Sequence, residues 1–136
     1  LLQLLFIRLI RLQNAPALPT ENRSREQYVI SRLFEYLEAH LSQPIHVDQL
    51  CEALHVSQSH LYRCSRDVMN CSTQQLVIRY KLRHAQMLLK NPELSISDVA
   101  AAIGYDLFYF STQFKKAFLV SPSEYRKNLL HCLQNA

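Results

Sequence analysis

The stretch AAIGYDLFYFSTQFKK, residues 101–116, holds the chain's one glycine, a run of aromatics and two closing lysines. A lysine is a compact, hydrated charge with three rotatable donors, which suits phosphate. Phe110, Phe114 and Phe118 recur every four residues and, with Ala117, form the core stripe of a helix. Ser111, Thr112, Lys115 and Phe108 fall on its other side. A polar face ending in Lys115 and Lys116 suits a helix laid against phosphates. It fits a solvated helix face with two lysines equally well.

The other reactive residue types do not converge. Cys51, Cys64, Cys71 and Cys132 form no C-x-x-C pair, and no disulfide framework is visible, which points to a reducing cytosol. His40, His46, His55, His60, His84 and His131 are scattered through helical patterns without metal-ligand spacing, so no metal and no cofactor is expected. There are no paired carboxylates at a plausible site, no phosphate-cradling glycines and no Cys–His pair with an orienting third group. The chain does not read as an enzyme.

What must position those residues is an all-α scaffold. Of 136 residues, 49% are apolar, enough for a core, while Gly 1 and Pro 5 leave few sites for the tight turns that strand-rich folds need. The net charge is +4, and it is unevenly placed. Between Tyr28 and His55, Arg32 faces Glu35, Glu38, Asp48 and Glu52. Between Val56 and Lys90, six cations (Arg63, Arg66, Arg79, Lys81, Arg83 and Lys90) face only Asp67. Such a basic middle fits a polyanion partner.

The first residues, LLQLLFIRLIRL, are apolar but too short to span a membrane, which takes about 20 residues. Residues 1–13 read as a helix that buries itself against a partner chain or another domain, and residues 14–27, with two prolines, as a linker. From residue 28, Ile30, Leu33, Phe34, Leu37 and Leu41 follow helical spacing, ahead of Pro44. A repeat then appears at an offset of 49 residues, without a gap. Val47 maps to Ile96, Leu50 to Val99, Leu54 to Ile103, Leu61 to Phe110 and Ser72 to Ser121. Each copy reads as a short helix (about 48–54; about 97–103), a turn, a second helix (about 58–69; about 107–118) and a capping signal that opens a further helix. In copy one that signal is Ser72 with Gln75; in copy two it is Ser121 with Pro122 and Glu124. Two helix-turn-helix lobes, at about 47–70 and 96–119, joined by a long helix give about seven helices. The glycine now has a reason. Gly104 stands where the first helix of copy two must reverse, a left-handed corner, and Asp106 caps the helix that follows.

The segment ISDVAAAIGY…YFSTQFKKAF…SPSEYR resembles the signature of the AraC/XylS family of bacterial transcription regulators, and RYKLRHAQMLLKN resembles that family's linker helix. The resemblance covers residues 28 to about 130. It implies two recognition helices entering successive major-groove segments of double-stranded DNA, with activation through RNA polymerase. By position, it assigns base reading to Gln58, Ser59, Tyr62 and Arg63 in the first lobe and to Leu107, Phe108, Ser111 and Thr112 in the second. Gln and Arg can pair bidentately with adenine and guanine edges, whereas Leu and Phe can touch only a thymine methyl, so the first lobe is expected to discriminate more. Arg66, Arg79, Lys81, Lys115 and Lys116 become phosphate contacts. Residues 1–13 become the tail of a sensing and dimerisation domain, a route to a homodimer.

The chain departs from the family pattern in three places. The turn in GYDLF lacks a serine and is one residue short. Asn70 and Leu119 stand where glycines follow the recognition helices. Ser65 replaces a core phenylalanine. The weakly polar stretch 107–113 supports an alternative, a helical protein-interaction module of the same fold that modulates another regulator. A linker helix of about 19 residues, Ser72 to Lys90, is roughly 28 Å long, which suits protected segments about 10 base pairs apart.

Overall fold

The computed structural model describes residues 21–135, with side chains from Arg23. The expected apolar helix at residues 1–13, and most of the expected linker, lie outside the described residues. Among the described residues there are seven α-helices and no strand: α1 Glu21–Ala39, α2 Val47–Leu54, α3 Gln58–Met69, α4 Thr73–Leu88, α5 Ile96–Ala102, α6 Leu107–Phe118 and α7 Pro122–Gln134. The all-α class expected from composition is the one observed.

The helices sort into two compact units, whose boundary falls within α4, between Val77 and Ile78. In the first unit, α1 packs on α2 and α3. Ile30, Leu33, Phe34 and Leu37 are buried along one stripe of α1, with Leu50 and Leu54 of α2 and Leu61 and Cys64 of α3. Each such side chain contributes about 1.5–3 kcal/mol on burial. Leu41, expected on the same stripe, lies beyond the helix and packs in the second unit, to which Leu41–Pro44 belong. The linker expected through residue 27 is also corrected, because α1 starts at Glu21. Residues 21–27, ENRSREQ, are polar, and the Glu, Arg and Gln among them are good helix formers; they lack only the apolar periodicity that marks a helix in sequence.

Ser65, where the resemblance led to the expectation of a core phenylalanine, is fully buried. Its hydroxyl donates to the Leu61 carbonyl at 2.9 Å and lies 3.1 Å from Thr73 Oγ1. A buried hydroxyl is tolerable only when bonded in this way.

In the second unit the core is Leu82 and Ala85 of α4, Leu89 just past its end, Val99 and Ala100 of α5, Ile103, and Phe110 and Phe114 of α6. Phe114 sits between rings, with centroids 5.6 Å from Phe110, 4.6 Å from Phe118 and 5.4 Å from Tyr125. Ala117, expected in this stripe, is exposed.

Candidate nucleic-acid interface

Each second helix of a lobe is started by a side-chain cap. Ser57 Oγ accepts from the His60 amide at 3.1 Å and opens α3. Asp106 Oδ1 accepts from the Tyr109 amide at 2.8 Å and opens α6. Both helices have 12 residues and both end on a left-handed residue, Asn70 (φ 55°) and Leu119 (φ 68°). Leu119 holds this conformation without being glycine; it is 83% exposed, so its side chain meets no packing constraint there. The next helices open as the sequence indicates. Ser72 and Gln75 exchange side-chain-to-backbone bonds, and Ser121 and Glu124 form a capping box with Pro122 at the helix start.

The corner ahead of each of these helices is left-handed too, at His55 (φ 55°) and Gly104 (φ 76°). At Gly104 a second constraint applies. A Cβ there would fall 2.9 Å from the backbone carbon and oxygen of Ser42. Only glycine satisfies both the dihedral and the close approach. The second turn matches the first residue for residue, with Asp106 capping where Ser57 caps.

The exposed face of α3 carries Gln58, Ser59, Tyr62 and Arg63. Two of these are already held. Gln58 Nε2 donates to Asp48 Oδ1 of α2. Arg63 Nη2 donates to His60 Nδ1 at 3.0 Å. That contact leaves the ring proton on Nε2, which faces Cys64 Sγ at 3.8 Å. Asp48 and His60 are thus positioning residues that the sequence reading missed. For His60 the signal was present, three residues before Arg63 on one helix face. For Asp48 it was not, since its partner lies on the next helix. Burial pushes the Cys64 thiol up, as do Glu26 and Asp67, so it stays a packed thiol rather than a nucleophile.

The corresponding face of α6 is apolar. Leu107 is 46% and Phe108 82% exposed, Ser111 is half-buried and Thr112 is exposed. The Thr112 hydroxyl donates to the Phe108 carbonyl at 2.9 Å. Tyr109 packs edge-on against Tyr105 at 4.8 Å.

Arg66, Arg79, Lys115 and Lys116 are exposed. Lys81 is not, which corrects its assignment as a phosphate contact. It is 1% exposed, and its ammonium donates to the carbonyls of Gln43 and Ile103, each at 2.8 Å. It also lies 4.9 Å from the centre of the Tyr105 ring. The Ile103 carbonyl lies just past the end of α5, where the helix dipole favours a cation. Burial pulls the Lys81 pKa down to about 8. Burial also pushes the Tyr105 hydroxyl up, with Tyr109 adding to the shift. Lys81 and Gly104 therefore tie the corner that aims α6, from inside.

This paired layout has known counterparts. A family described as a helix-turn-helix domain matches residues 50–128. The chain belongs to the AraC/XylS family. It is 33% identical over 126 residues to the raffinose operon transcriptional regulatory protein RafR of Pediococcus pentosaceus, covering 92% of this chain and 45% of that protein. It is 30% identical over 98 residues to the lactose operon transcription activator of Staphylococcus xylosus, covering 71% and 35%. The C-terminal domain of AraT, a response regulator from Geobacillus stearothermophilus, superimposes with a TM-score of 0.68 at 34% identity, covering 74% of this chain and 84% of that one. The chain spans less than half the length of the curated relatives it matches. Among the described residues, no helix is long and apolar enough to cross a membrane.

Proposed function

We propose that the chain binds double-stranded DNA sequence-specifically, each lobe offering one recognition helix to its own major-groove segment, and that it activates transcription. The observation that carries this reading is the paired design. Helices α3 and α6 have equal length, are capped at equivalent residues and carry their exposed faces at one fixed offset in two separate units. A protein that only needed a helical surface would have no use for the same corner, cap and left-handed stop twice over.

Gln58 and Arg63 have the chemistry to pair with base edges. Ser59, Tyr62, Leu107, Phe108, Ser111 and Thr112 complete the two faces. Arg66, Arg79, Lys115 and Lys116 hold phosphates, which set register rather than sequence. RNA polymerase is the partner that activation requires. Residues 1–13 supply self-association or the junction to a sensing domain. The relatives named for sugar operons support an activator role in such an operon. The protein-interaction alternative rests on the apolar face of α6 alone and leaves Gln58, Arg63 and the exposed cations without a task.

Titration of a labelled duplex, drawn from a random pool by the chain itself, tests the reading. Affinity should fall with salt by about 0.9 in the log–log slope for each phosphate contact. Binding that does not change between low and moderate salt would refute it.

A further inference from the structure

We infer that α6 reads thymine by its methyl group, so that the second lobe selects T-bearing steps through apolar contact rather than hydrogen bonds. The inference rests on the DNA-binding reading above. Residues in the first turns of a recognition helix meet base edges. On α6 those turns display Leu107 and Phe108, the latter 82% exposed. Their counterparts on α3, at the 49-residue offset, are Gln58 and Ser59, which can hydrogen-bond. The neighbouring polar groups of α6 do not make up the difference. The Thr112 hydroxyl proton is directed to the Phe108 carbonyl. Tyr109 is packed against Tyr105, and Ser111 is half-buried. Lys115 and Lys116, in the last turn, can hold phosphate without reading sequence.

In the major groove thymine alone among the four bases presents a C5 methyl. Covering it with Phe108 and Leu107 removes apolar surface from water on both sides. The same contact favours 5-methylcytosine over cytosine and thymine over uracil, which differs from thymine only at that carbon.

The test uses the full chain on a duplex selected from a random pool. Each thymine is replaced by uracil in turn, which leaves every hydrogen-bonding group in place. Each thymine contacted by α6 should lose about four-fold in affinity, the worth of one buried carbon at about 0.8 kcal/mol and 1.4 kcal/mol per decade. At the same positions 5-methylcytosine should bind tighter than cytosine by a similar factor. The double variant Leu107→Ala, Phe108→Ala should bind thymine and uracil equally at those positions and keep the base preferences of the first lobe. Both side chains are exposed, so the fold survives, which circular dichroism checks. Two results overturn the inference while leaving DNA binding intact: indifference to uracil at every position, or thymine preference that persists in the double variant. If no duplex is bound in a salt-dependent way, the DNA-binding reading itself fails.

Discussion

The two lobes share a frame and differ in what they display on it. The shared parts are local devices at one spacing: Ser57 and Asp106 as caps, His55 and Gly104 as left-handed corners, Asn70 and Leu119 as left-handed stops. The differing parts are tertiary. Helix α2 follows His46, whose side chain makes no cap, whereas α5 opens with a capping box of Ser95 and Asp98. The first core accepts a bonded Ser65–Thr73 pair where the second has Phe114 against Tyr125. The face proposed to meet DNA is polar and held by Asp48 and His60 in the first lobe, apolar in the second. Backbone geometry can thus stay fixed while the exposed face changes, because caps and corners use atoms that the exposed face does not.

The corners offer the largest test of this comparison. Gly104→Val meets both left-handed strain and the Ser42 backbone, so the second unit should lose more than about 3 kcal/mol of stability. His55→Val meets the strain and should cost about 1–2 kcal/mol. Chemical denaturation of both variants checks the order; equal losses would mean that close packing at Gly104 is irrelevant.

Next in size is Lys81, which has no counterpart among the first lobe's buried residues. Its pKa is about 8 in the fold against 10.5 for the free side chain. Between those values the unfolded chain binds more protons, so stability should rise as pH climbs from about 8 to about 10.5. The ceiling is about 3 kcal/mol, at 1.36 kcal/mol per unit. The carbonyls of Gln43 and Ile103 favour the ammonium and reduce it. Denaturation at the two ends of that window, wild type against Lys81→Met, isolates the effect. A difference between the two proteins that does not change with pH would contradict it.

Much of this frame was legible because caps, prolines and apolar periodicity act locally. Ser121-Pro122-x-Glu124 marks a helix start whatever surrounds it, and Phe110 and Phe114 mark a core face. What escaped depends on partners far along the chain. Lysine is rarely fully buried, and only the carbonyls of Gln43 and Ile103, on other segments, make Lys81 an internal tie. Asp48 gives no sign in sequence that it holds Gln58. Helix α1 extends to Glu21 through residues with helix propensity but no apolar stripe. Of the candidate interface, the paired faces and the exposure of Arg66, Arg79, Lys115 and Lys116 were legible; that Lys81 faces inward was not.

Two exposed cations separate base reading from phosphate holding. Arg63→Ala should cost about 1–3 kcal/mol of binding and relax preference at one base pair. Lys116→Ala should weaken all duplexes about equally. Uniform loss in both, measured over a panel of single-base variants of the selected site, would make Arg63 a phosphate contact.

That each lobe reads DNA is tested most directly by hydroxyl-radical and methylation footprinting of the chain on its selected duplex. Two separate protected major-groove segments should appear, one altered by Arg63→Ala and the other by Phe108→Ala. A single segment, sensitive only to Arg63→Ala, would contradict it.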